Sequence, residues 1–348
     1  MKALVLTAYN QFEMQEVAEP QPDPGEVVIA VHACGICGSD VHGMDGSTGR
    51  RQPPIIMGHE ASGVIARCGD QVRDWAIGDR VTFDSTVYCG LCAYCRIGNI
   101  NLCNDRRVLG VSCDDYRRNG AFADYVVVPE RILYRLPDQL SFTHAAMVEP
   151  VSVAVHAVRR ANLREADVAV VFGAGMIGLL IVQVLRARGC ALVIAVDVDD
   201  SRLARAQAAG AAIALNATRV DAVAEILTQT CGAGVPFVFE AVGTAETVKS
   251  AIRSAAKGGT VVLVGNVSPN VEMPLQRVVT GEISLLGSCA SAGEYPECLD
   301  LMTRGLVNVE PMITATATLA EGPHWFARLH AREEGLMKVI LTPEHATR

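Results

Sequence analysis

Residues 170–180, VVFGAGMIGLL, restrict the fold of this chain more than any other segment. They place Gly173, Gly175 and Gly178 in the spacing G-x-G-x-x-G, directly after the apolar run 168–172. A stretch at 177–187 follows, with apolar residues at helical period. A buried strand that turns on glycines into a helix is the phosphate-binding corner of a βαβ unit. Gly173 permits the tight turn, Gly175 lets the backbone approach a pyrophosphate, and Gly178 allows close helix–strand packing. With Met176 and Ile177 they form a helix N-terminus, whose free N–H groups and positive end suit a diphosphate. A second apolar strand, 191–196, leads to Asp197, 22 residues past Gly175. A carboxylate there accepts hydrogen bonds from a ribose and repels a 2′-phosphate, so NAD is expected over NADP. Two alternatives stand beside this: a structural glycine turn in an unrelated α/β domain, and a capping role for one of the nearby Asp199 and Asp200.

The alternation continues with a helix at 202–209, a strand at 237–240, a helix at 247–256 and a strand at 260–264. Such a pattern builds a parallel sheet covered on both faces. The first 150 residues have another texture. Short β-branched runs at 27–32, 63–66, 80–83 and 125–128 are broken by glycines, as in a barrel-like unit. After about residue 287 strong signals stop. At 348 residues the chain is too long for one ordinary core, so two domains are expected. Half the residues are hydrophobic and a fifth charged, which argues against disorder. A net charge of −8 without a basic stripe disfavours nucleic acid or an anionic membrane as partner. The start, MKALVLTAYN, turns polar too early for a signal peptide, and no apolar run reaches a membrane span. The cytoplasm is therefore expected. In that compartment the twelve cysteines read as reduced thiols and metal ligands rather than disulfides.

Cys89, Cys92, Cys95 and Cys103 form C-x2-C-x2-C-x7-C. Four thiolates this close can complete a tetrahedron around zinc with no open position, the arrangement of a structural site. A nucleic-acid zinc ribbon is a poorer reading, because such modules pair distant knuckles and carry basic residues. A second set is spread out: Cys37 in GICGSD, His59 and Glu60 in GHE, and Glu149 in VEP. A thiolate, an imidazole and one or two carboxylates give a mixed, incompletely filled sphere with room for water or substrate, as catalytic zinc requires. Spacing alone leaves open whether these four are ligands or ordinary core and loop residues. Cys34, Cys68, Cys113, Cys190, Cys231, Cys289 and Cys298 lack ligand spacing and read as small hydrophobes.

The order of motifs, from GICGSD through GHE, the cysteine lobe, the EP turn and the glycines to the ribose aspartate, resembles the zinc-dependent medium-chain alcohol dehydrogenase family over essentially the full length. The resemblance implies an α/β protein: a GroES-like β-rich catalytic domain of residues 1–151 and 287–348, with a Rossmann NAD-binding domain at 152–286 inserted. It implies catalytic zinc held by Cys37, His59 and Glu149 or Glu60, a structural zinc in the lobe, and NAD. Glu149 stands where the best-known alcohol dehydrogenases have a cysteine ligand, and this is similar to the sorbitol and polyol branch. Ser39 and His42 match the family's proton relay, beside their plainer readings as a turn hydroxyl and a loop histidine. Glu60 is expected to exchange with water at the metal. Arg202 matches a basic position near the adenosine ribose, or is a surface arginine. The expected reaction is oxidation of a secondary alcohol of a polyol, polyol phosphate or other sugar-derived substrate, with hydride transfer to NAD. A threonine, 2,3-butanediol or sugar-acid dehydrogenase is the alternative, and a non-catalytic member or a zinc-free reductase of activated double bonds fits the intact ligand sets poorly. Tyr116, Arg117 and Arg118 are candidates for gripping a carboxylate or phosphate, beside a plain surface role. A homodimer or homotetramer is expected from the family.

Overall fold

The continuous apolar runs of the middle of the chain become the strands of one parallel sheet. The computed structural model describes residues 1–163 and 167–347. It divides into two compact units, one of residues 1–149, 295–303 and 309–348 and the other of residues 150–294 and 304–308. In the second, six parallel strands run in the order Ile213–Asn216, Leu192–Asp197, Val168–Phe172, Val235–Glu240, Ala255–Leu263, Ser284–Gly287. Val170, Ile194, Val238 and Val261 are wholly buried, which is why these strands read as unbroken apolar stretches. The strand order reverses beside Val168–Phe172, the position at which such sheets open a ligand crevice at their carboxyl ends. The glycine loop leaves that strand there and feeds the helix Met176–Ala187.

The first unit is antiparallel at its heart. Glu26–Gly35 pairs with Glu60–Cys68 and Tyr125–Pro129, and Lys338–Thr342 joins its far end. Arg80–Phe83, Leu133–Arg135 and Ile313–Thr318 complete a seven-stranded sheet. Lys2–Ala8, Gln11–Glu16 and Ile55–Ile56 form a smaller one. Ile29, Ile65, Phe83, Phe122 and Leu341 fill the core.

Several local expectations need correction. The strand Ile213–Asn216 and the helix Ala222–Gln229 lie where the sequence shows no strong pattern, because the strand is short and half-buried. The segment after residue 287 is regular too, with helices Tyr295–Thr303 and Gly322–His330 and the parallel strand pair ending in Lys338–Thr342. That last strand is buried on both faces and shows no alternation. The helix expected at 247–256 spans Ala245–Ser254, and Ala255 already has extended backbone. VEP opens the helix Val148–Arg160 instead of forming a turn. Pro150 fits its first turn because no intrahelical N–H is required there.

Candidate active site

Strand register brings the spread-out donors together. Gly35 lies opposite Glu60 in the antiparallel ladder, so Cys37 and His59 flank the same end of the sheet. Gly35 also leaves the space that the Glu60 carboxylate fills, since a Cβ there would lie 2.4 Å from Glu60 Oε2. Donor atoms of Cys37, His59 and Glu60 all lie within 4.8 Å of one another. His59 and Glu60 are buried, and Cys37 is partly buried. Glu60 Oε1 is enclosed without a hydrogen-bond partner. One sulfur, one imidazole and one uncommitted carboxylate oxygen are a donor set that fits zinc.

Glu149 stands outside this trio but within its field. Burial, reinforced by the Glu60 carboxylate, pushes its carboxyl up to about 7. Lys338, wholly buried, donates to Glu60 Oε2 at 2.5 Å and to the Ile36 carbonyl at 2.9 Å. Burial disfavours its ammonium form, but Glu60 outweighs that and its pKa is raised. Asp40 is equally buried. Its Oδ1 lies 2.9 Å from Arg51 Nη2 and 3.4 Å from His59 Nδ1, and its Oδ2 accepts from the Cys37 amide at 3.3 Å. Burial opposes its ionisation, yet His59 and Arg51 hold the carboxyl well below the usual range. Nothing in the sequence singles out Asp40, Arg51 or Lys338. Asp40 and Arg51 pair across 11 residues with no regular spacing between them, and Lys338 opens a strand that looks apolar.

Cys37 caps the helix Gly38–Gly43 in a reciprocal capping box with Asp40. Ser39 and His42 sit three residues apart on this helix, on one face and both exposed. Tyr116, Arg117 and Arg118 are engaged by their own chain. The Tyr116 hydroxyl accepts from the Val108 amide at 3.1 Å, Arg117 donates to the Pro54 carbonyl at 2.6 Å, and Arg118 pairs with Glu26 at 2.9 Å. These intrachain partners accord with the surface role weighed beside a grip on a carboxylate or phosphate.

The four-cysteine lobe is a separate cluster whose sulfurs lie within 4.8 Å of one another. Cys92 and Cys95 are 3.5 Å apart and Cys89 and Cys95 4.0 Å. A zinc tetrathiolate with Zn–S near 2.3 Å places its sulfurs roughly 3.8 Å apart. The set therefore fits the metal as it stands. Backbone amides of Leu91 and Cys92 point at the Cys89 sulfur. Amides of Asn104 and Cys95 lower the Cys92 thiol to about 6, while burial raises Cys95 to about 12. Of the remaining cysteines, Cys34, Cys190 and Cys298 are buried, but Cys231 and Cys289 are exposed and do not act as core hydrophobes.

In the parallel-sheet unit Gly173 has φ +95°, and a Cβ there would strike Val242. A Cβ on Gly178 would lie 1.7 Å from the Gly173 carbonyl oxygen, whereas the space beside Gly175 is open. Met176 and Ile177, both partly buried, begin the helix, and no side chain caps its N-terminal amides. Asp197 ends the neighbouring strand. Its carboxylate accepts from the amides of Ala174, at 2.6 Å, and Val198, at 2.8 Å. Arg202 Nη1 lies 4.0 Å from it. Asp199, not Asp197, caps the next helix. An open cradle, uncapped amides and a carboxylate at the adjoining strand end fit a dinucleotide.

Two family models match. The alcohol dehydrogenase GroES-like domain covers residues 23–138, and the zinc-binding dehydrogenase covers residues 177–304. The chain belongs to the zinc-dependent medium-chain alcohol dehydrogenase family. It is 33% identical to a sorbitol dehydrogenase of Bacillus subtilis over 348 residues, covering 99% of this chain and 97% of that one. It is 33% identical to an L-idonate 5-dehydrogenase of Vitis vinifera over 323 residues, 91% and 87% of the two chains. An Escherichia coli alcohol dehydrogenase (RspB) solved with NADH superposes with a TM-score of 0.91 at 32% identity, over 98% and 99% of the chains. As a member of this family the chain is an oxidoreductase that acts on an alcohol with zinc and NAD. Among the described residues no helix is long and apolar enough to cross a membrane.

Proposed function

We propose that this dehydrogenase oxidises a secondary alcohol of a polyol or sugar-derived substrate at a zinc site formed by Cys37, His59 and a glutamate, with a second, structural zinc at Cys89, Cys92, Cys95 and Cys103. The observation that carries the reading is the mixed donor trio with its buried, unpartnered Glu60 oxygen. A sphere with one thiolate and carboxylates nearby leaves room for a substrate oxygen, unlike the closed lobe. When bound, zinc supplies a Lewis acid that acidifies an alcohol, and NAD supplies the hydride acceptor.

The chain's own groups do the rest. Asp40, 3.4 Å from His59 Nδ1, would orient the ring, so that His59 would hold zinc through its other nitrogen. Lys338 balances the buried charge of Glu60, while Glu149 serves as the alternative carboxylate. Ser39 and His42 carry the proton outward along the exposed face of their helix. The glycine loop holds the diphosphate and Asp197, with Arg202 beside it, the adenosine ribose.

The polyol class rests on the sorbitol dehydrogenase relative and on Glu149 standing where a second thiolate would otherwise be. The L-idonate relative favours one second reading, a sugar-acid substrate. A phosphorylated substrate has less support, since Arg117 and Arg118 are already engaged. The edge strand Ser284–Gly287 and the exposed Val267, Leu275 and Val279 beside it support assembly into a homodimer or homotetramer through the parallel-sheet unit. The cytoplasm is the proposed location.

NAD reduction by zinc-replete enzyme across polyols, polyol phosphates, sugar acids, threonine and butanediol tests the function. Turnover of a polyol at two zinc per chain is expected. Turnover confined to threonine or a sugar acid moves the substrate class, and silence with every alcohol overturns the reading.

A further inference from the structure

Arg51 is 4% exposed, unusual for an arginine, and it lies behind the metal donors rather than among them. Its backbone is stitched to the strand Val111–Ser112. Arg51 forms a bridge with Ser112, and the flanking Gln52 amide donates to the Ser112 carbonyl at 3.0 Å. Its stem lies against Gly43, where a Cβ would come within 2.6 Å of Arg51 Cγ. The guanidinium is thus delivered from a fixed base through a gap that glycine provides. At its tip Nη2 faces two groups, Asp40 Oδ1 at 2.9 Å and Ser39 Oγ at 3.5 Å, while Nη1 is anchored on the Arg50 carbonyl at 3.0 Å.

These contacts join two systems. Asp40 holds the Cys37 amide and faces the His59 ring, so it sets the direction of two zinc ligands. Ser39 is the first member of the proton relay. Two N–H bonds of the same nitrogen serve both acceptors, and the planar guanidinium keeps that nitrogen aimed because Nη1 is tied to the Arg50 carbonyl, an anchor that an ammonium on a flexible stem lacks.

We propose that Arg51 is a positioning residue that fixes the zinc ligands through Asp40 and the relay hydroxyl through Ser39. The proposal rests on the reading of Cys37 and His59 as zinc ligands and Ser39 as relay. Wild-type protein with a single zinc, or without NAD reduction by any alcohol, would defeat that reading before any variant is compared.

The test uses zinc-loaded Arg51→Met, Arg51→Lys and Gly43→Ala proteins. Zinc release to the chelating dye 4-(2-pyridylazo)resorcinol is followed alongside kcat, KM and the thermal midpoint. In Arg51→Met one of the two zincs should leave at least about tenfold faster and the other at the wild-type rate. Its kcat should fall roughly 10- to 100-fold with little change in KM. Arg51→Lys should restore zinc retention but not kcat, because the ammonium balances Asp40 but has no second nitrogen on the Arg50 carbonyl to keep it aimed at Ser39. In a Ser39→Ala background the kcat loss from Arg51→Met should shrink to the part that acts through Asp40, since coupled residues are not additive. Zinc release at the wild-type rate in folded Arg51→Met, or kcat losses that simply multiply with Ser39→Ala, overturns the proposal. If Arg51→Met does not fold, Gly43→Ala decides: faster loss of the same zinc supports the proposal, and unchanged release overturns it.

Discussion

The four-cysteine lobe and the Cys37–His59–Glu60 cluster hold their donors at similar spacing but are assembled in opposite ways. The lobe takes all four sulfurs from residues 89–103, with helices of only a few residues between them. It sits partly in solvent, and its Leu91 and Ile97 are exposed. The other cluster draws on the ends of two strands, and its charges are balanced by Arg51 and by Lys338, the latter hundreds of residues along the chain. One site is chemically closed and local. The other, the proposed catalytic site, is surrounded by buried counter-charges, one of them from a far segment of the chain. The proposed catalytic cluster draws its counter-charges from tertiary structure, whereas the lobe takes all its sulfurs from one short segment.

That contrast can be broken in four places, taken here from the largest effect downward. Lys338→Met should destabilise the protein by about 3–5 kcal/mol, because it strands the buried Glu60 charge. Denaturant unfolding would measure this, and the Lys338→Met/Glu60→Gln double variant should recover most of the loss. A loss below about 1 kcal/mol would mean that the open site does not need its counter-charge. Cys37→Ser should lower kcat by at least about 100-fold, beyond what an outer-sphere partner normally costs. It should reduce zinc from two to one per chain, with NAD affinity by fluorescence titration unchanged. Full turnover in that variant would remove the cluster from catalysis.

Cys92→Ser should release the lobe metal, lower the thermal midpoint on the order of 5 °C and expose residues 89–103 to protease. Turnover should stay within a few-fold of wild type. If activity collapses with the lobe, the two sites are not independent. Asp197→Ala should be the mildest, weakening NAD binding about tenfold and narrowing the preference over NADP, as loss of a charged hydrogen bond would. Equal affinities before and after substitution would assign ribose recognition elsewhere.

What could be read from residues alone follows the same division. The glycine corner and the cysteine lobe are local, and their neighbours in sequence are their neighbours in space. The strand Val168–Phe172, the helix Met176–Ala187 and the four sulfurs are accordingly found where spacing places them. The open cluster is non-local. Its members carry recognisable chemistry in GICGSD and GHE, yet only the Gly35–Glu60 register joins them. Asp40 and Arg51 were invisible because their ion pair is set by tertiary packing, and Lys338 because it opens a strand that is otherwise apolar. The tail after residue 287 shows the same effect. In Ile313–Thr318 the inner face is only Ile313, Ala315 and Ala317 while Thr314 and Thr316 are exposed, too weakly apolar a pattern to read as a strand without its parallel neighbour.

The pairing of Lys338 with Glu60 also orders events during synthesis. Residues 89–103 can take up metal as soon as they leave the ribosome, since every sulfur they need is already present. Glu60 must wait for a strand made some 278 residues later, a delay of roughly 14–56 s at about 5–20 residues per second. Through that interval the nascent chain has all four lobe sulfurs but lacks the partner of Glu60. Metal scarcity during translation would therefore be felt first at the lobe, and only after folding at the site of chemistry.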